Sequence, residues 1–167
     1  MDKSNIVLIG MPASGKSTVG VQLAKWLSMG FLDTDLLVQA RAGESMQAFQ
    51  NRDGLEAYQA LECDTVKSVV CENCVIATGG SAVYCVGAME HLKSMAKIIF
   101  LDVPLLEIKR RIGDYSERGV IIKPGMTLDD LYEERRPLYL RHADTILDCA
   151  GRSQSDLLAE IRALDCH

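Results

Sequence analysis

The sequence predicts an α/β fold, a parallel sheet with helices on both faces, from three observations. Short apolar runs alternate five times with longer helical patterns over 167 residues. A complete glycine-lysine phosphate loop lies between the first run and the first helix. Candidate polar residues follow the strand ends, where open sheets of this class bind their ligands.

The elements follow in order. Ile6, Val7, Leu8 and Ile9 form an apolar run closed by Gly10, as expected of a strand covered on both faces. From Thr18 to Leu27, Val19, Leu23, Ala24 and Leu27 recur at helical spacing. Met29 to Leu32 breaks that helix and starts a second strand ending at Asp33. Residues 36–52 read as one or two short helices and Leu55 to Val70 as a longer one. Val75 to Thr78 is a third strand with a Gly79, Gly80 exit. Ala88 to Met95 is helical, Ile98 to Leu101 is the fourth strand, and Pro104 opens the helix that runs to Ile112. Residues 113–126 carry Gly113, Gly119, Pro124 and Gly125 and read as a long mobile loop. Thr127 with Asp130 is a capping box opening a further helix. Thr145 to Leu147 is the fifth strand, and Ser153 to Leu164 closes the chain as a helix.

One domain over 1–167 is the expectation from length. The 18 basic and 23 acidic side chains leave a net charge of −5, which disfavours a nucleic-acid partner. No apolar run approaches the ~20 residues that span a bilayer, and no secretory signal precedes the first strand. The expected location is therefore cytoplasmic, the expected partner a small-molecule substrate, and the expected state a monomer. In that setting the six cysteines are expected to be free thiols, and Cys71 with Cys74, a lone CxxC, is a poor zinc site.

Gly10-x-x-x-x-Gly15-Lys16-Ser17 matches the Walker A pattern in full. Its backbone N–H groups, from Ala13, Ser14 and Gly15 onward, are placed to cradle phosphate oxygens. The following helix N-terminus adds partial positive charge. Lys16 is expected to reach the β- and γ-phosphates of ATP, and Ser17 to ligate Mg²⁺. Thr18 stands next to them, where it also continues the helix. Asp33 and Asp35 end the second strand; at i and i+2 both carboxylates are expected to face one site. One would serve the metal and the other a substrate hydroxyl. The plainer reading is a helix cap followed by a solvated acid. Gly79 and Gly80 allow close approach of a ligand to the backbone, or mark an ordinary turn.

In order and spacing these residues resemble the shikimate kinase family, of the nucleoside-monophosphate-kinase-like P-loop fold. The likeness includes the P-loop, Phe31 to Asp35, Val75 to Gly80, a lid arginine, and Arg135, Arg136, Pro137, Leu138 and Tyr139 followed by Ala143 and Asp144. The resemblance implies a three-layer α/β/α fold with sheet order 2-3-1-4-5 and a lid over about 113–126. It implies an acceptor-binding helical region over about 35–70. It also implies residue roles: Asp33 on the metal side, Asp35 facing the accepting hydroxyl, and Gly79 and Gly80 lining the acceptor pocket. Arg111 matches the arginine that stacks on adenine, Arg118 the lid arginine that moves onto the phosphates, and Arg135 an arginine holding the acceptor carboxylate. ATP and Mg²⁺ are the implied cofactors, and phosphorylation of a hydroxyl, with shikimate as first candidate, the implied reaction.

Three positions depart from the family pattern. In its Phe-Arg-x-x-Glu the arginine pairs with the acceptor carboxylate and is steadied by the glutamate; the matching run here is Tyr58, Gln59, Ala60, Leu61, Glu62, so that arginine is Gln59. The third glycine of Gly-Gly-Gly is Ser81, and the lid's Pro-Leu-Leu is Gly119, Val120, Ile121. Losing a guanidinium weakens carboxylate binding by about 1.5–3 kcal/mol. Either Arg135 holds an acid alone, or Arg41, Arg52 or Arg136 supplies the missing cation from a nearby position. The substitutions at Gln59 and Ser81 also motivate a second reading, a kinase of another sugar acid, polyol or amino-acid alcohol. A third, an ATP-binding protein without catalysis, is opposed by the intact Lys16, Ser17, Asp33, Asp35 and Arg118.

Overall fold

Ile6, Val7, Leu8 and Ile9 have no polar face to turn to water, and none is more than 3% exposed. A strand with both faces apolar needs a layer on each side, and that requirement organises the molecule. In the computed structural model, which describes residues 4–113, 120 and 122–165, this run is β1 (Asn5–Ile9). The other strands are β2 (Gly30–Asp33), β3 (Cys74–Ala77), β4 (Ala96–Asp102) and β5 (Thr145–Asp148). The helices are α1 (Lys16–Leu27), α2 (Thr34–Ala42), α3 (Met46–Lys67), α4 (Val86–Met95), α5 (Leu105–Ile112), α6 (Leu128–His142) and α7 (Gln154–Asp165). A 3₁₀ turn spans Ala82–Tyr84.

The sheet is parallel throughout, in the order β2-β3-β1-β4-β5. Its register matters for function. Leu8 and Asp33 both pair with Ala77, so β1, β2 and β3 end level with one another. The loops after Ile9, Asp33 and Ala77 therefore open on one edge. Thr78 ties two of these ends together, its N–H and hydroxyl both donating to the Leu8 carbonyl at 3.2 and 3.1 Å.

The elements match the periodicities closely. The two short helices expected over 36–52 are α2, which ends at Gly43 with φ 72°, and the first part of α3. Gly54, at φ 87° and ψ 173°, is non-helical and kinks α3 where the longer helix from Leu55 is expected to begin. The helix stops at Lys67, three residues before Val70, which is 91% exposed and has nothing to pack on. Among the described residues no helix is long and apolar enough to cross a membrane.

The expectation of free thiols is corrected for two cysteines. Cys63 on α3 and Cys85 at the N-cap of α4 are joined by a disulfide, with Cα atoms 5.7 Å apart. Helix α3 packs on α4, and this packing is what brings residues 22 apart in sequence together. Cys71, Cys74 and Cys149 are free.

The capping box of α6 is formed as expected: Asp130 N–H donates to Thr127 Oγ1 at 3.2 Å and Thr127 N–H to Asp130 Oδ2 at 2.8 Å. Thr127→Ala is expected to cost about 1 kcal/mol and to lower Tm by roughly 2–4 °C for a chain of this size, measured by thermal denaturation.

Candidate active site

The P-loop takes its shape from residues that tolerate unusual backbone angles. Gly15, the N-cap of α1, has φ 95°, a conformation open to glycine and strained for residues with a side chain. Ala13 also lies in the left-handed region, at φ 61°. Lys16 folds into the loop it follows. Its Nζ donates to the carbonyls of Gly10 (2.9 Å) and Met11 (2.8 Å) and to Ser14 Oγ (3.3 Å). Burial lowers the Lys16 ammonium to about 8; Asp35 and Asp33 oppose the shift and Arg135 adds to it.

The two aspartates reach the loop by a route different from the one expected. The chain turns helical at Thr34, so Asp35 lies in the first turn of α2 rather than on a strand. Asp33 is the N-cap of that helix, its Oδ1 accepting from Asp35 N–H at 2.9 Å. Its other oxygen, Oδ2, accepts from Ser17 Oγ at 2.6 Å. The cap and the candidate metal residue are thus one side chain, and the alignment of both carboxylates does not come from strand alternation. Thr34 between them is fully buried and accepts from Gly79 N–H at 3.0 Å, which locks β2 to the exit of β3. Burial raises the Asp35 carboxyl to about 6, with Lys16 opposing and Asp33 adding.

These groups border a cavity of about 280 Å³. Ala13, Gly15, Lys16, Ser17, Thr18, Asp35, Gly80, Ser81 and Arg135 all line it. The structure therefore brings both halves of the expected site to one space. Gly10 stands behind it as a carbonyl partner of Lys16. Ser14 is buried and lends its hydroxyl to the same ammonium. Gly79 is also behind the wall: a Cβ there would overlap Glu62 Oε1 and Asp35 Oδ1, so a side chain at this position would displace those carboxylates. Arg111 Nη1 approaches the Ser14 carbonyl at 3.4 Å while Nη2 pairs with Glu107 at 2.5 Å. Arg118 lies outside the described residues.

Gln59 is not among the lining residues. Tyr58 faces the cavity, and the next residue is rotated by about 100° around the helix. None of the three arginines proposed to replace the missing cation does so. Arg41 donates to the hydroxyls of Thr65 and Ser68, Arg52 pairs with Glu44 and Asp53, and Arg136 makes a two-point contact with Asp102 at 3.0 and 2.7 Å. Arg135 and Lys16 are the cations lining the cavity among the described residues.

Arg135 is 1% exposed, on a stripe of α6 that also buries Leu128, Leu131 and Tyr139. Its Nε donates to the Tyr84 hydroxyl at 3.1 Å, with the guanidinium 5.2 Å above the Tyr84 ring. Tyr84 donates in turn to Glu134 Oε1 at 2.6 Å, and Tyr139 to the Gly80 carbonyl at 2.6 Å. Met46 lines the cavity and Tyr84 steadies Arg135, yet neither stood out in the sequence; Thr78 and Val120, which also line it, entered only as parts of family segments. A methionine and a tyrosine carry no local signal of function. The available clue was the charge of Arg135 on an apolar stripe, which calls for buried partners.

The comparisons agree with the geometry. A sequence profile of the family described as "Shikimate kinase" matches residues 12–164. The shikimate kinase of Mycobacterium avium is 35% identical over 150 residues, covering 88% of this chain and 85% of that protein. That of Francisella philomiragia is 31% identical over 163 residues, covering 94% and 92%. Among solved structures, the shikimate kinase from Acinetobacter baumannii in complex with shikimate superposes with a TM-score of 0.88 at 26% identity, covering 99% of this chain and 94% of that one. The Aquifex aeolicus shikimate kinase gives a TM-score of 0.82 at 33% identity, covering 95% and 94%. With its sheet order, its phosphate loop and nearly its whole length in common with them, this chain belongs to the shikimate kinase family.

Proposed function

We infer that this protein transfers the γ-phosphoryl group of ATP to a hydroxyl of shikimate. One observation carries the reading: Lys16, Asp35 and Arg135, from three separated parts of the chain, line a single cavity. The acceptor oxygen attacks the γ-phosphorus, the bond from that phosphorus to the bridging oxygen of ADP breaks, and the hydroxyl proton passes to Asp35. Such transfers depend mainly on alignment and charge stabilisation. The P-loop N–H groups and Lys16 hold the phosphates, Asp35 aims the hydroxyl, and Arg135 takes the acceptor's carboxylate. Gly79, Gly80 and Ser81 shape the acceptor side. Arg111 is assigned to the adenine side. Residues 113–126, with Arg118, are assigned to a lid, and the helical region over 35–70 to acceptor binding.

The donor set at the mouth of the loop fits Mg²⁺. Ser17 Oγ and Asp33 Oδ2 are hydrogen-bonded, exposed oxygen donors. A small, hard cation takes few protein oxygens and keeps its remaining positions for phosphate and water. Ser17 would hold it directly and Asp33 through water; when bound it neutralises charge on the phosphates.

The test is ATP consumption by the purified protein with shikimate, quinate, gluconate and homoserine in parallel. Shikimate is expected to be turned over with kcat/KM above ~10⁴ M⁻¹s⁻¹, the low end of the usual enzyme range. Preference for another of these acceptors, or no consumption above background with any, would overturn the assignment.

A further inference from the structure

Glu62 is a buried carboxyl without the partner that its position calls for. It is 2% exposed, on the inward face of α3 one turn after Tyr58. Its Oε2 accepts from Ser81 Oγ at 2.5 Å, while Oε1 is buried with no hydrogen-bond partner. Among the described residues no cation forms an ion pair with it. Across the α-carbon of Gly79 lies a second carboxylate, Asp35 Oδ1. An ionised Glu62 would be a charge out of water, with one oxygen unsatisfied and a like charge as its neighbour, and both conditions favour the neutral acid. The residue at the cation's place, Gln59, brings no charge to offset this.

We propose that Glu62 holds a proton in the working enzyme and that its ionisation controls binding of the acidic acceptor, making it a specificity and positioning residue. The proposal rests on shikimate, a carboxylate, being the acceptor. Ser81 lines the cavity and hydrogen-bonds Glu62, so the acid stands one layer behind the acceptor wall. The groups facing it are Asp35 from α2, Arg135 and Tyr139 from α6, and Tyr58 from its own helix. Burial pushes its carboxyl up to about 7; the Ser81 hydroxyl opposes this, Asp35 adds to it and Arg135 opposes it. The neutral acid puts no negative charge beside Arg135 to compete with an incoming carboxylate. The ionised form cancels much of that attraction and faces the incoming anion with a like charge.

The sign follows directly. Below neutral pH Glu62 is protonated and shikimate binds well; above it the proton is lost and KM rises. Between pH 7 and 8.5 the KM for shikimate is expected to rise about tenfold. Glu62→Gln, which cannot ionise, is expected to keep KM flat over that interval, and so is Gln59→Arg, which supplies a cation partner. A KM for shikimate that is flat in the wild type, or that rises equally in both variants, overturns control of binding. The proton itself is read in acceptor-free protein by infrared titration. The carbonyl stretch of protonated acids is expected at pH 6 and lost by pH 9; at pH 6 Asp35 contributes part of it, and Glu62→Gln is expected to keep that part and lose the rest. Should that variant not fold, the same partial loss at pH 6 in Gln59→Arg is the equivalent result. The Glu62 part of the band with no turnover of shikimate supports the proton and overturns the acceptor; normal turnover without that part overturns the proton.

Discussion

Asp35→Asn is expected to lower kcat by about 10²–10⁴-fold, the range for losing a positioned acid–base group, with little change in the KM for ATP. The substitution keeps the size of the side chain and removes its charge and its ability to take a proton. It also keeps the local backbone, because Asp35 is anchored through its N–H to the capping Asp33 rather than through its carboxylate. A structural loss is therefore separated from a chemical one. The carboxylate lines the cavity with Lys16 and Arg135 and faces Glu62 across Gly79. If Asp35 served only as a favourable acid in the first turn of α2, the change would cost a few tenths of a kcal/mol in stability and less than tenfold in rate. Steady-state kinetics with each substrate varied in turn, beside a thermal melt, distinguish the two.

What the sequence discloses about this site depends on how local each signal is. The P-loop is legible because its eight residues make one backbone shape from one contiguous stretch, with its strand and helix beside it. The aspartate pair is legible in identity but not in geometry. Alternation along a strand would have aligned the two side chains, whereas Asp33 instead starts a helix and Asp35 belongs to it. Only the cap makes that visible, and Asp is both a good cap and a good ligand. The sheet order is set by connections that short apolar runs do not specify, so it came through resemblance to the family.

The acceptor side was less legible because its contacts are distant in sequence. Ser81 meets Glu62 across 19 positions and Tyr84 meets Arg135 across 51. The departure at Gln59 drew notice to a missing cation, and the natural expectation was a replacement arginine nearby. The structure answers differently: Arg41, Arg52 and Arg136 are bound elsewhere, and the loss is left with Glu62. A pairing that disappears leaves two residues to explain, and only the altered one stands out in a sequence. The disulfide between Cys63 and Cys85 was missed for the same reason, since composition treats all six cysteines alike.

Lys16→Met is expected to lower kcat by about 10²–10³-fold or more, comparable to or beyond removal of one preorganised donor to a developing negative charge. Methionine fills much of the lysine's volume with a flexible apolar chain, so the loop's packing is largely conserved. The ammonium is hydrogen-bonded to the Gly10 and Met11 carbonyls and the Ser14 hydroxyl. These are neutral partners, which a triphosphate replaces with charged oxygens. The exchange strengthens as charge gathers on the transferring group, so the penalty should fall more on kcat than on ATP affinity. Arginine is not a conservative rescue at this position. A planar guanidinium is wider than an ammonium, and the slot between two P-loop carbonyls is shaped for a compact point charge with three donors. The two substitutions together discriminate between charge and shape. If charge alone sufficed, Lys16→Arg would retain most of the activity that Lys16→Met loses; the geometry predicts that both fall, with nucleotide binding by equilibrium titration surviving better in the methionine variant.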